Sequence, residues 1–294
     1  MNIHAYLASQ KQSIEDRLQE LVPIDPITPW NELYVAARYA LLGGGKRLRP
    51  ILALATNQTM GGEAASALTP ACSLEMIHAY SLIHDDLPAM DDDDFRRGKP
   101  TLHKVYPEGH AILTGDYLLT RSFEVIAYDP DLSAEQKIQL IQILTKASGG
   151  HGMIAGQVMD LNAVNQEIDL QTLQQIHKCK TGAMIAASVE FGGVIAQTPP
   201  PQLSLLRSFG DHMGLAYQIV DDILDVTESL AKHGKSIGSD LMNGKTTYVS
   251  LMGLDQAKAS AQDCLHRALA ALDKLPNDTS LLKDLANILI NRMI

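Results

Sequence analysis

Apolar residues return at steps of three and four along almost the whole chain, the spacing of one face of an α-helix. Leu33, Ala36, Ala37, Ala40 and Leu41 form one such run, and Leu68, Ala71, Cys72, Met76, Ala79, Leu82 and Ile83 a second, with Glu75 among them. Leu203, Leu206, Phe209, Met213 and Ala216 form a third. Strand-like alternation is scarce. Gly, Pro and polar clusters interrupt the runs at 22–29, 43–45, 61–62, 97–100, 148–152, 198–201 and 234–244. This punctuation predicts ten to thirteen helices of ordinary length. No stretch has a linker's composition and no fixed period recurs. The expectation is therefore an all-α chain, one unit over 1–294 built as a single large antiparallel bundle rather than a solenoid.

Composition narrows this picture. Only 5% of residues are aromatic while Ala, Leu, Ile and Met are plentiful, a balance that favours helices. With 46% apolar residues the chain can bury a large core. A net charge of −10 argues against a nucleic-acid partner, and any cation-rich site has to be local. Cys72, Cys179 and Cys264 show no CxxC spacing, so reduced, buried thiols are expected rather than a disulfide framework or a zinc site. The N-terminal stretch MNIHAYLASQKQSIEDRLQE lacks an apolar signal core, and no run has the length of a membrane span. A cytoplasmic protein with no membrane partner is the expectation.

Candidate chemistry is concentrated in acidic and basic clusters. Residues 85–94 read DDLPAMDDDD directly after the apolar stretch MIHAYSLI. Carboxylates at a helix C-terminus face its partial negative charge, so something positive is expected beside them. Pro88 disfavours helical geometry at Leu87. The chain can then turn Asp91 back beside Asp85, although six residues of regular helix would separate them by about 240°. In the second cluster, QIVDDILDV, Gln218, Asp221, Asp222 and Asp225 fall on one stripe of a helix whose Ile219, Val220, Ile223 and Leu224 must be buried. A solvated acidic face is the plain alternative for either cluster. Oxygen donors without Cys or paired His, and without a calcium loop, favour magnesium shared with a bound diphosphate.

Nine of the 24 basic residues lie in five glycine-containing segments, at predicted helix ends. These are GGGKRLRP (Lys46, Arg47, Arg49), RRGKPT (Arg96, Arg97, Lys99), KTG (Lys180), HGKSIGSD (Lys235) and NGKTTY (Lys245). Glycine permits close backbone approach while Lys and Arg make charge-assisted bonds, a pairing suited to phosphate. GGGKRLRP lacks the P-loop spacing. His78 stands two helical turns before Asp85 on nearly the same face; a core histidine is its plain alternative. The His84-Asp85 pair also spells the start of a metal phosphohydrolase motif, without the further spaced ligands such a site needs.

With these segments taken together, the chain from about 30 to 255 resembles the trans-isoprenyl diphosphate synthases of the bacterial short-chain farnesyl type. The resemblance is carried by GGGKRLRP, DDLPAMDDDDFRRGKPT, KTG, QIVDDILDV and GKSIGSDLMNGKTTY. It implies a homodimer of helical subunits, each one polyprenyl synthase domain around a deep central cavity. It further implies that Asp85, Asp91 and Asp221 bind about three magnesium ions bridged by an allylic diphosphate, supported by Asp86, Asp222 and Asp225. By the same resemblance Arg96, Lys180, Lys235 and Lys245 hold that diphosphate. Lys46, Arg49, His78 and Arg97 hold isopentenyl diphosphate, and Thr181 and Gln218 lie near the developing cation. Tyr80 and Ser81, five and four positions before Asp85, would form the floor that sets product length, with C15 expected and C20 as the alternative. Terpene cyclases differ at the positions of Asp225 and Ser229. Two departures stand out: Ala155 replaces a frequent glycine, and the chain ends in NRMI, leaving tail closure to Arg292. A non-catalytic subunit and a metal phosphohydrolase are the rivals, and the intact motifs speak against the first, which has no reason to keep both Asp clusters and all five basic segments.

Overall fold

The computed structural model describes residues 2–233 and 244–291, apart from the side chains of 228–233. Among the described residues fourteen α-helices occur. The first four are α1 (Ile3–Leu21), α2 (Asn31–Leu41), α3 (Leu48–Thr59) and α4 (Ala64–Asp85). A two-stranded hairpin, β1 (Phe95–Arg96) and β2 (Lys99–Pro100), precedes α5 (Leu102–Val105), α6 (Glu108–Ala127), α7 (Ala134–Ser148), α8 (Met153–Ala163) and α9 (Leu170–His177). Lys178–Gly182 is a π-helical turn leading into α10 (Ala183–Ile195) and α11 (Pro200–His233). Beyond residue 244 come α12 (Tyr248–Met252), α13 (Leu254–Leu272) and α14 (Ser280–Ile290). The sequence expectation of ten to thirteen helices is exceeded because α5 and α12, of four and five residues, are too short to show a periodicity.

Two helices decide the layout. In α10 every residue from Met184 to Ile195 is buried, with its one charge, Glu190, paired to Arg207, and a helix buried all round belongs in the middle of a bundle. It packs against α3, α4, α7 and α11. Helix α4 also packs on α3 and α6, with buried residues from Ala67 to Ile83, and so brings Asp85 at its C-terminus out of the core. Capping is local: Ser133 and Gln136 form a reciprocal box at the start of α7, Asp169 caps α9, and Thr247 with Ser250 boxes α12. The three cysteines are free and buried, as expected. No helix among the described residues is long and apolar enough to cross a membrane.

Candidate active site

The first acidic motif turns as its sequence suggested. Helix α4 ends at Asp85, and the Asp91 N–H donates to the Asp85 carbonyl at 2.9 Å, so the intervening LPAM loop brings the two aspartates together. Its other carboxylates are engaged. Asp86 accepts from Arg96 Nε at 2.6 Å, Arg96 Nη2 also reaches Asp93 at 3.3 Å, and Lys104 pairs with Asp94 at 2.7 Å. Lys104 and His103 both lie 3.9 Å from Asp92. Asp85 and Asp91 take part in none of these pairings. Burial pushes the Asp85 carboxyl up to about 6; Asp91 and Asp86 add to this, while Lys180 and Arg96 oppose it. The positive partners expected at this helix end are thus present, supplied by the hairpin and by the π turn.

The hairpin refines one reading: RRGKPT runs through a β-turn, and only its last residue, Thr101, stands at the N-cap of a helix, the start of α5. Phe95 pairs with Pro100 and Arg96 with Lys99, and the turn residues Arg97 and Gly98 both have positive φ, as a type I′ turn requires. Because the turn is this tight, Arg96 and Arg97 diverge. Arg96 returns to the acidic motif; Arg97 reaches the opposite loop, donating to the Gly44 carbonyl and lying 3.5 Å from His78 Nε2. Gly45 has a positive φ of 127°, which disfavours any side chain there, and a Cβ would also displace the Arg97 guanidinium.

Around Arg97 lies a cleft of about 550 Å³ lined by Gly43–Arg49, Glu75, His78, Arg97 and Tyr217. Lys46 is exposed at its rim, and Arg49 is half-buried with its Nε–H lacking a partner. Burial, reinforced by Arg49, Arg97, Arg96 and Arg47, holds His78 well below its ordinary range, so it is a neutral hydrogen-bonding group here. Arg47 points away: it donates to Glu75 at 2.8 Å and to Glu15 at 3.1 Å, tying the glycine loop to α4 and α1. The cleft is therefore cationic over one buried carboxylate, a setting for an anion.

KTG does sit at a helix end, with Gly182 at the N-terminal cap of α10. It occupies the π turn between α9 and α10, where the extra residue per turn re-aims side chains, placing Lys180 and the half-buried Thr181 at the surface of the bundle interior. Lys180 Nζ is 2.6 Å from Asp160 Oδ2 on α8, and Lys245 Nζ is 3.8 Å from the same oxygen. On α11, Gln218, Asp221 and Asp225 are half-buried, and Asp221 lies close enough to Arg49 for their charges to interact. Asp222 parts from its stripe: it is buried, Oδ2 accepts the Tyr248 N–H at 2.8 Å, and Oδ1 is 3.8 Å from His177 Nε2. His177 in turn stacks on the Tyr248 ring. Tyr80 is buried edge-on to His84 with its hydroxyl unpartnered, and Ser81 donates to the His78 carbonyl. Lys235 and Arg292 lie outside the described residues.

Among the described residues no three acidic, His or Cys side chains are gathered closely enough to hold an ion unaided. The donors nevertheless fit magnesium. Asp85 and Asp91 are hard oxygen ligands crowded by like charge, and magnesium habitually completes its shell with phosphate oxygens. Sequence reasoning missed Glu15, Glu75, Asp160, His177 and Tyr217. Of these only Glu75 had a local signal, a charge inside an apolar helical run.

A sequence model of the family described as polyprenyl synthetase matches residues 31–289. The farnesyl diphosphate synthase of Bacillus subtilis is 41% identical over 290 residues, covering 98% of this chain and 97% of that protein. Geranylgeranyl pyrophosphate synthase 4 of Arabidopsis thaliana is 40% identical over 291 residues, covering 98% and 77%. The crystal structure of an FPP/GFPP synthase from Zymomonas mobilis superposes with a TM-score of 0.89 at 34% identity, covering 98% of this chain and 99% of the other.

Proposed function

The chain belongs to the polyprenyl synthetase family, and from that premise we propose that it is a short-chain prenyltransferase making farnesyl diphosphate. In this reading isopentenyl diphosphate condenses with dimethylallyl and then geranyl diphosphate. The observation that carries it is the pairing of two unlike anion sites: a cleft of cations over one buried, paired carboxylate, beside a carboxylate site flanked by lysines. One suits a diphosphate alone, the other a diphosphate bound with a divalent cation.

Lys46, Arg49, His78 and Arg97 hold the diphosphate of isopentenyl diphosphate; the neutral His78 offers a ring N–H and the guanidinia the charge. Asp85, Asp91 and Asp221 hold magnesium, about three ions by family precedent. Asp86 and Asp225 support them, and Asp222 helps by fixing the segment that bears Lys245. Magnesium, when bound, offsets the charge of the departing diphosphate so that the allylic C–O bond can ionise. Lys180, Lys245, Lys235 and the face of Arg96 left beyond its Nε and Nη2 bonds share that charge. Thr181 and Gln218 border the reacting carbon. The closed, apolar bundle excludes water while the double bond attacks. No side-chain base is required if the released diphosphate takes the final proton.

Tyr80 is proposed as the floor of the tail channel, with Ser81 one residue above it. The geranylgeranyl synthase relative keeps the C20 product as the second reading. The protein is further proposed to act as one cytoplasmic domain and as a homodimer, since exposed Ile154, Val158 and Leu161 form an apolar stripe on α8. Incubation with both C5 diphosphates and magnesium, followed by product-length analysis, tests the activity. Farnesyl diphosphate is the expected product. Phosphate release from an allylic diphosphate without isopentenyl diphosphate would instead indicate a hydrolase.

A further inference from the structure

We infer that Asp160 is the positioning residue that gathers Lys180 and Lys245 into one two-ammonium clamp for the allylic diphosphate. The inference rests on the proposed prenyl transfer and adds a residue to its diphosphate site. The two ammonium nitrogens stand 2.6 and 3.8 Å from the same Asp160 oxygen, which puts them no more than 6.4 Å apart. They arrive from separate parts of the chain, Lys180 from the π turn and Lys245 from the segment before α12.

The local structure explains why Asp160 can reach both. A Cβ on Gly156 would collide with the backbone nitrogen and Cα of Lys180, so only glycine lets α8 lie directly on the π turn. Asp160 follows Gly156 by one helical turn and projects from the same face, over the Lys180 ammonium. Two lysines this close repel each other, and each loses rotamer freedom when held. A half-buried carboxylate offsets the repulsion and orders both side chains before the ligand arrives. It does not block binding: Lys180, at 2.6 Å, gives Asp160 one of its three N–H donors, and Lys245, at 3.8 Å, meets the carboxylate as an ion pair beyond hydrogen-bond reach.

The test is calorimetric titration of the full-length protein with inorganic pyrophosphate and magnesium, and separately with isopentenyl diphosphate, alongside steady-state KM values. Asp160→Asn is expected to weaken magnesium pyrophosphate by about tenfold or more and to raise the KM for geranyl diphosphate, leaving isopentenyl diphosphate affinity within about twofold. Asp160→Glu should recover most of the loss. In a Lys245→Ala background, Asp160→Asn should cost about threefold or less, because there is then no second ammonium to gather. Unchanged pyrophosphate affinity in Asp160→Asn, equal loss for both ligands, or full additivity with Lys245→Ala would overturn the clamp. A wild-type protein that binds magnesium pyrophosphate and responds to Asp160→Asn as described, yet forms no prenyl product, would overturn the proposed function and leave the clamp standing.

Discussion

Replacing Arg47 by Met removes one partner of a nearly dry ion pair. The Arg47 side chain is 1% exposed and Glu75 is 4% exposed, with Nη1 to Oε1 at 2.8 Å; Glu15 adds a second, more solvated contact at 3.1 Å. Methionine fills much of the same volume but leaves the Glu75 carboxylate buried without its cation, a change that costs about 3–5 kcal/mol. With an unfolding entropy of about 2.1 cal/mol/K per residue, a chain of 294 residues turns that cost into a Tm lower by about 5–8 °C. Differential scanning calorimetry measures it directly. The double variant Arg47→Met with Glu75→Leu removes both charges and should recover at least half of the loss, since a buried pair replaced by apolar groups is close to neutral. A second readout is functional. Arg47 is a left-handed residue (φ 51°) that anchors the glycine loop, so the single variant should raise the KM for isopentenyl diphosphate more than that for the allylic partner. A Tm change under about 2 °C, or a double variant less stable than the single, would refute the idea that this pair holds the cleft together.

If the proposed metal-ligand roles hold, Asp85→Ala or Asp221→Ala should lower turnover by several orders of magnitude with the far-UV circular dichroism unchanged, because each would remove ligation needed for leaving-group charge. Asp222→Asn, which keeps a carbonyl oxygen for the Tyr248 N–H, should retain turnover within about tenfold of wild type, whereas Asp222→Leu should lose about 1–3 kcal/mol of stability on thermal melting. Gly156→Ala should lower stability by about 1–3 kcal/mol through overpacking against Lys180, with a matching fall in allylic turnover in the standard assay. Product chromatography should show Tyr80→Ala shifting C15 towards C20 or longer and Ser81→Phe shifting it towards C10; an unchanged spectrum in both would place the floor elsewhere.

The bundle was legible because burying one helical face demands apolar residues every three to four positions, as in α2, α4 and α11. What escaped was set by packing rather than by period. The π turn at Lys178–Gly182 depends on α8 pressing on it at Gly156 and on Gly214 of α11 meeting Gly182 across the interface, contacts that no local pattern encodes. The hairpin gives each strand two residues, too few to alternate, so the sequence showed the break at 97–100 but not the strands around it. Its consequence was large, since it sends Arg96 to one site and Arg97 to the other.

The candidate site was half legible for a related reason. Six aspartates after an apolar helix, or three on the stripe of another, are conspicuous because burying unpaired charge is costly. Asp160 is a single carboxylate on a half-exposed helix and Glu15 is one of several charges on another, so nothing near them in the chain marks them out. Their partners lie far away in sequence: Lys180 twenty residues on from Asp160, and Arg47 thirty-two on from Glu15. Seen in space, they show one device used twice. In the cationic cleft Glu75 and Glu15 restrain Arg47, and in the metal-side site Asp160 restrains Lys180 and Lys245. Each time a carboxylate on a packed helix meets cations carried by a loop or an irregular turn. A site that must face a diphosphate accumulates positive charge on its most flexible segments, and without an internal anion those segments would repel one another in the free protein. Beside Lys180 and Lys245 the anion has to leave donors for a ligand, which one carboxylate shared between two ammonium groups achieves and a one-to-one bidentate pair would not; in the cleft two carboxylates instead hold one guanidinium that points away.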